Sequence, residues 1–331
     1  MNQVGIDISN KCFDASMQSS THVNRRQFAN TVSGHRKFIK WVLNNRDSAR
    51  VCLEATGIYH LQLALALDGQ TMIELMVVNP RAARRFTQAH MVRAKTDPID
   101  ADGMLLYLQS MPFRPWVAPP DHALRLQSLS HRLAQLVKED KRERCRLHAC
   151  QRAGTHTRLA QQDIKAHLKQ LRRRIDGIQH HALELIQHDA QLADDLRIID
   201  SIPGFAELSA MKVMAELSPL AKDLRAPQWV AQAGLDPRPH ESGSSIRPPR
   251  RISKQGNVRL RTALYMPALT AVRHDPHVKA FYESLLGRGK AKMQANTAVM
   301  RKLLHAIWGM LHNREEWNGS KFFKLETENT A

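Results

Sequence analysis

The sequence predicts an α/β domain followed by a mainly helical region, and three observations point that way. Short β-rich runs alternate with helical patterns up to about residue 115. PFRPWVAPPD, with four prolines in ten residues, then breaks the chain as a linker. From Leu124 to Leu196 there is neither a proline nor a β-rich run, while leucines recur at helical spacing.

Taken in order, VGIDIS and CFDASM are two strands separated by Asn10-Lys11, a pair suited to a hairpin turn. RVCLEAT, ending at Gly57, reads as a third strand, and MIELMVVNP, ending at Pro80, as a fourth. Between them IYHLQLALALDG has apolar residues at helical spacing and a stop at Gly69. The last helix of the domain is expected to begin near Asp97. The expected order is therefore strand, strand, strand, helix, strand, helix.

Beyond the linker, leucines at 124, 126, 129, 133 and 136, and again at 168, 171, 183 and 185, predict two long helices. They are expected to form a coiled-coil hairpin broken near Ala153-Gly154. Ile202-Pro203-Gly204-Phe205 makes a tight turn between two helical patterns. It resembles a helix-hairpin-helix, whose glycine turn can offer backbone N–H groups to a phosphate; a plain corner between helices reads equally well. GLDPRPHESGSSIRPPRRISKQGN is rich in Gly, Ser, Pro and Arg and reads as a loop, and a helical C-terminal segment follows. The expected boundaries are 1–115, 116–197 and 198–331.

Charge narrows the function. The 331 residues carry 49 Lys+Arg against 31 Asp+Glu, a formal charge of +18, and the pI is near 10.2. A polyanionic partner, nucleic acid first, is the simplest reading. Between Asp121 and Asp176 there are 14 Lys+Arg against 6 Asp+Glu, including Arg172, Arg173 and Arg174. That excess points to an arm contacting nucleic acid rather than a merely solvated face. No run approaches the roughly 18 apolar residues that span a bilayer, and MNQVGIDISN lacks a signal-peptide pattern. A soluble, cytoplasmic protein with no membrane partner is expected. The four cysteines include no CxxC pair, so neither a disulfide framework nor a ribbon-type zinc site is expected, and Cys145, His148 and Cys150 in CRLHAC read as a helix surface.

Four acids stand out. Asp7 sits within VGIDIS, where a charge in an apolar strand costs free energy unless a cation or partner compensates. Glu54 follows RVCL at a strand end. Asp97 and Asp100, in AKTDPIDA, are three apart and share one face of a helix, with Pro98 suited to its first turn. Asp102 falls on another face and is a weaker candidate. Two-metal phosphoryl transfer needs several carboxylates converging on cations roughly 3.5–4 Å apart, and oxygen donors suit Mg²⁺ or Mn²⁺. Ribonuclease-H-like folds place such acids in this order: first strand, later strand end, and a helix on the sheet.

VGIDIS, LEATGIY, VVNP, AKTDPIDA, IPGF, GLDPRPHESGSS, RISKQGN and LRTALYM, in this order over almost the whole chain, resemble the IS110 family of insertion-sequence transposases. The likeness is strongest to its IS1111 subgroup, with which Piv-type DNA invertases are grouped. The resemblance implies an N-terminal RNase H-like (RuvC-like) domain whose DEDD tetrad falls on Asp7, Glu54, Asp97 and Asp100. It implies a coiled-coil arm and a mainly helical transposase domain with a catalytic serine just before a glycine, which falls on Ser242. Further serines stand at Ser244, Ser245 and Ser253. It also implies a composite site shared between protomers of a homo-oligomer (dimer or tetramer) and a covalent 5′-phosphoserine intermediate. Finally, it implies a structured guide RNA pairing with both donor and target double-stranded DNA.

The chemistry is compatible. A serine hydroxyl needs a base, a metal or dense positive charge to attack a phosphodiester. Between Arg238 and Arg261 stand seven Lys+Arg and one acid, Glu241. Arg247, Arg250, Arg251, Lys254 and Arg259 are the residues expected to grip phosphate there. A Mg²⁺-dependent recombinase that moves its own element is thus expected. Its rivals are a hydrolytic RuvC-like nuclease, such as a junction resolvase, and a non-catalytic nucleic-acid scaffold.

Overall fold

A computed structural model describes residues 1–18, 22–44, 48–90, 97–238 and 251–325, without the side chains of 97–99. The chain forms two compact units, Met1–Ala118 and Pro119–Ala331.

The first unit is built on a five-stranded sheet of β1 (Asn2–Ile8), β2 (Cys12–Gln18), β3 (Val23–Ala29), β4 (Ala49–Glu54) and β5 (Ile73–Val78), in the spatial order β3-β2-β1-β4-β5. β1 to β3 form an antiparallel meander, while β4 and β5 add in parallel to β1. The parallel pairs require crossovers. Helices supply them: α1 (Val32–Val42) before β4 and α2 (Leu61–Asp68) before β5. α3 (Pro80–Ala89) and α4 (Asp97–Ser110) follow.

The two-residue period of the strands sorts their side chains by face. Val4, Ile6, Ile8, Val51, Leu53 and Leu75 pack with Phe38 and Val42 of α1 and with Leu63 and Leu67 of α2. Cys52, Met76 and Val78 point the other way, against Ala83 of α3 and Met104 and Leu108 of α4. Gly5 lies on that second face, where α4 comes so close that a Cβ would sit 2.1 Å from the Leu105 nitrogen and 2.4 Å from the Ala101 oxygen.

The expected element order was incomplete. β3, α1 and α3 are additional, and RVCLE is the fourth strand rather than the third. β3 is an edge strand whose residues Arg25, Arg26 and Gln27 are exposed, so it carries little apolar signal. α1 begins at Thr31, whose hydroxyl accepts from the Gly34 N–H, and it buries Gly34, His35, Phe38 and Val42 at helical spacing. α3 is capped by Asn79, has Pro80 in its first turn and buries only Ala83.

The second unit opens with α5 (Asp121–Ala153), a short 3₁₀ turn at Thr155–Thr157 and α6 (Arg158–Gln187). Gly154, at φ +110°, makes the reversal, and the Thr157 hydroxyl donates to the Cys150 carbonyl at 2.7 Å. The second long helix stops short of Leu196: Asp189 accepts from the Leu192 N–H and caps a separate α7 (Ala190–Asp200). α8 (Glu207–Leu217), α9 (Ala226–Ala233), β6 (Pro237–Arg238), β7 (Arg251–Ile252), α10 (Val258–His274), α11 (Pro276–Gly287), α12 (Lys292–Asn313) and α13 (Gly319–Phe322) complete it. One core joins Leu126 and Leu133 of α5 and Ala182 and Ile186 of α6 to Met211 and Met214 of α8, Leu264 of α10 and Leu303 of α12.

Candidate active site

Asp7 and Glu54 are placed by register. Ile6 of β1 lies level with Leu53 of β4, so the next residue of each parallel strand, Asp7 and Glu54, lies at neighbouring carboxyl ends. Both share the parity of Gly5 and Cys52 and therefore the face covered by α4. Asp7 is partly buried between Ile6 and Ile8, and Glu54 is likewise partly buried. In open α/β sheets, ligands gather outside these strand ends.

α4 supplies the other two acids. It opens at Asp97, with Pro98 in its first turn, where a missing N–H breaks no helical bond. The Asp97 side chain lies outside the described residues. Asp100, partly buried, directly precedes Ala101, and Ala101 touches β1 at Gly5, two residues from Asp7. Asp102 is differently engaged. The Ser16 hydroxyl donates to it at 2.6 Å, and Arg25 donates through Nε and Nη2 at 3.0 and 2.7 Å. That pairing with Asp102 raises the Arg25 pKa.

One acid on this face escaped the sequence reading. Asp14 of β2 lies directly opposite Asp7. Like charges so placed repel. The Gln27 amide of β3 donates to both Asp14 oxygens at 3.2 Å. The signal was present: a two-residue turn at Asn10-Lys11 pairs position 7 with position 14. Nearby, burial pushes the Cys52 thiol from its ordinary 9.0 up to about 12, and burial also lowers the pKa of His60 at the start of α2. Among the described residues, no group of three or more His, Cys, Asp and Glu side chains that could hold a metal ion comes together. As a donor set, Asp7, Glu54 and Asp100 offer only hard oxygens, which suits a Mg²⁺-type cation.

In the second unit, Ser242, Ser244, Ser245, Arg247 and Arg250 lie outside the described residues, but both ends of that segment are described. Pro237 pairs with Ile252 and Arg238 with Arg251. Arg251, Lys254 and Arg259 are exposed. Ser253 is held: its hydroxyl donates to Asp236 Oδ1 at 2.5 Å and accepts from the Gln255 N–H at 3.2 Å.

Arg172, Arg173 and Arg174 are exposed on α6. A second basic surface, within the span Asp121–Asp176 that the sequence marks as basic, lies on α5, where Lys138, Lys141, Arg142 and Arg146 line a shallow hollow with Cys145. Their spacing of three and four was the available cue. Cys145, His148 and Cys150 all lie on α5, and Cys145 is exposed. At the IPGF turn, Gly204 has φ +98°, and a Cβ there would lie 2.4 Å from the Ala271 nitrogen of α10. Packing alone accounts for that glycine. No helix among the described residues is long and apolar enough to cross a membrane.

Residues 4–153 match the IS110-type DEDD transposase family, and residues 196–283 match the family described as Transposase IS116/IS110/IS902. A pilin gene-inverting protein of Moraxella bovis is 25% identical over 95% of this chain and 97% of its own length. The transposase for insertion sequence element IS1111A of Coxiella burnetii is 32% identical over 39% of this chain and 36% of its own. A putative transposase of Sinorhizobium fredii is 40% identical over 24% and 22%.

Proposed function

Because the chain belongs to the IS110 family of transposases and is a DNA recombinase of that kind, we propose that Asp7, Glu54, Asp97 and Asp100 are its acidic catalytic tetrad and Ser242 its nucleophile. The observation carrying the tetrad is the shared sheet face of Asp7 and Glu54, over which α4 is pinned at Gly5. Asp7, Glu54, Asp97 and Asp100 would offer only hard oxygen donors, which suit a divalent cation, Mg²⁺ or Mn²⁺. When bound, such an ion stabilises the charge that develops on a phosphodiester under attack. The tetrad would orient it toward the scissile phosphate.

Ser242 Oγ attacks phosphorus, forming the Ser–O–P bond of a 5′-phosphoserine. The serine proton is released to solvent, and the P–O3′ bond breaks, leaving a 3′ hydroxyl once that oxygen takes up a proton. Ser253 is already engaged by Asp236 in the paired ends of the segment, which supports Ser242 over it. Arg247, Arg250, Arg251, Lys254 and Arg259 neutralise phosphate charge around the attack. The basic faces of α5 and α6, read as a coiled-coil arm, hold a structured guide RNA or the double-stranded DNA of element ends and target. A homo-oligomer would let the acids of one protomer serve the serine of another.

Ser242→Ala tests this reading against the hydrolytic one. With element-end DNA and Mg²⁺, loss of both cleavage and protein-linked DNA is expected. Cleavage surviving without a protein-linked product would make the protein a nuclease acting through its acids alone. Recombination unchanged in Asp7→Ala and Asp97→Ala would leave a scaffold.

A further inference from the structure

A buried carboxylate in the second unit has no part in the chemistry above. Glu216, on α8, is 3% exposed and sits among Met214, Ala215 and Leu217 of the core. An ionised group is costly there unless both its oxygens are satisfied. Oε1 meets His131 Nε2 of α5 at 2.8 Å, and Oε2 accepts from Asn257 Nδ2 at 2.6 Å.

Asn257 connects this carboxylate to the start of α10. Its Oδ1 caps that helix by accepting from the Arg259 and Leu260 N–H groups at 2.9 and 3.1 Å. The cap demands oxygen on that side, so the amide nitrogen must face Glu216. The backbone N–H of Asn257 donates to the Gln232 carbonyl at 2.6 Å. From that bond a ladder continues: Lys254 N–H to Gly234 O at 3.0 Å, Ser253 N–H to Asp236 O at 2.8 Å, then Ile252 opposite Pro237 and Arg251 opposite Arg238. Gly256 fits because a Cβ would lie 2.2 Å from the Gln232 oxygen. The ladder closes on the two ends of the segment 239–250, and Glu216 clamps its opposite end.

We infer that Glu216 is a positioning residue for strand cleavage: by fixing Asn257 it sets the register of the ladder that presents the serine-bearing segment, and through His131 it ties that ladder to α5. The inference rests on the assignment of Ser242.

The two side chains allow a swap. Asn257→Asp keeps the cap oxygen but faces Glu216 with a second carboxylate and no donor. Adding Glu216→Gln restores a bond of reversed direction: the introduced amide nitrogen donates to the carboxylate at position 257, while the amide oxygen still accepts from His131. In the full-length protein on element-end DNA, with any guide RNA the reaction needs, Asn257→Asp should slow formation of protein-linked DNA about tenfold or more. The double variant should return to within about threefold of wild type, with DNA affinity unchanged in both. If Asn257→Asp does not fold, Glu216→Met alone carries the test, because a thioether leaves both His131 and the Asn257 amide without a good acceptor; a severalfold slower reaction is expected.

An undiminished rate in Asn257→Asp or in Glu216→Met would overturn the inference, as would a double variant no faster than Asn257→Asp. So would losses that follow DNA affinity or melting temperature instead of the cleavage rate. Ser242→Ala separates the two levels. If it still forms protein-linked DNA, the serine assignment falls and this inference with it. If it forms none while Asn257→Asp cleaves normally, only the role of Glu216 falls.

Discussion

Gly5 of β1 and Ala101 of α4 are in backbone contact: a Cβ on the glycine would lie 2.4 Å from the alanine carbonyl oxygen. That contact holds the helix bearing Asp97 and Asp100 against the strand bearing Asp7. Gly5→Val should therefore force α4 outward. A loss of about 1–3 kcal/mol in chemical denaturation is expected, with a fall in strand cleavage of about a hundredfold, since displacements near 1 Å have that effect at a reacting centre. Normal cleavage in a folded Gly5→Val protein would show that the close approach does not set the site.

Asp7→Asn and Asp100→Asn should each lower strand cleavage about a hundredfold or more while DNA binding persists. Both variants should remain folded at the assay temperature, because each amide keeps the size and shape of the carboxylate it replaces. A chelator should stop cleavage by the wild type, and added Mg²⁺ or Mn²⁺ should restore it. Gel assays of cleavage beside thermal melts check all three.

Asp102→Ala provides the contrast. Its carboxylate takes the hydroxyl of buried Ser16 and the guanidinium of Arg25, so its removal should lower stability by about 1–2 kcal/mol. Cleavage should stay within about threefold of wild type at a temperature where the variant is folded. A loss as deep as that of Asp100→Asn would bring Asp102 into the catalytic set.

Binding to nucleic acid should weaken steeply as salt rises, because each neutralised phosphate releases condensed counterions. Replacing Arg172, Arg173 and Arg174 with glutamine should lower the slope of log affinity against log salt by about 0.9 for each phosphate of duplex DNA that is no longer neutralised. A titration between low and physiological salt measures both, and an unchanged slope would remove α6 from the interface.

The thiols should differ in reactivity. Burial raises the Cys52 pKa to about 12, which favours its neutral form in the fold, whereas Cys145 is exposed. At pH 8 a thiol reagent should label Cys145 promptly and Cys52 only on unfolding. Because the folded pKa lies above the ordinary one, the contribution of Cys52 to stability is fully present below its ordinary pKa of 9.0 and is lost as pH rises toward about 12. Rapid labelling of Cys52 in the folded protein would contradict its burial.

Strands whose inward residues are apolar were readable: Val4, Ile6 and Ile8 announce β1, and Val51 and Leu53 announce β4. β3 was not, because only Phe28 of its seven residues is buried and an edge needs little apolar character. α3 was hidden for a related reason: it buries only Ala83, and Arg81, Arg84, Arg85 and Gln88 are exposed around it. α1 was readable in principle from Phe38 and Val42, but Asn30, Ser33 and Gly34 look like turn residues. Asp7 and Glu54 could be singled out as acids in or beside apolar strands. Asp14 required register, and Glu216 required tertiary structure, since one glutamate at the end of an apolar helix carries no local sign that His131 and Asn257 converge on it.

The core that Leu126 and Leu133 of α5 share with Ala182 and Ile186 of α6 and with the later helices bears on how such a chain can be cut and recombined at the level of its gene. A fragment starting after α6 would expose apolar surface that these four side chains now cover, and it should aggregate when expressed alone. A cut between Ala118 and Pro119 passes between units that each keep their own core. Chimaeras exchanging halves with relatives should therefore fold when joined there, inheriting α5 and α6 together with the ladder that Glu216 secures.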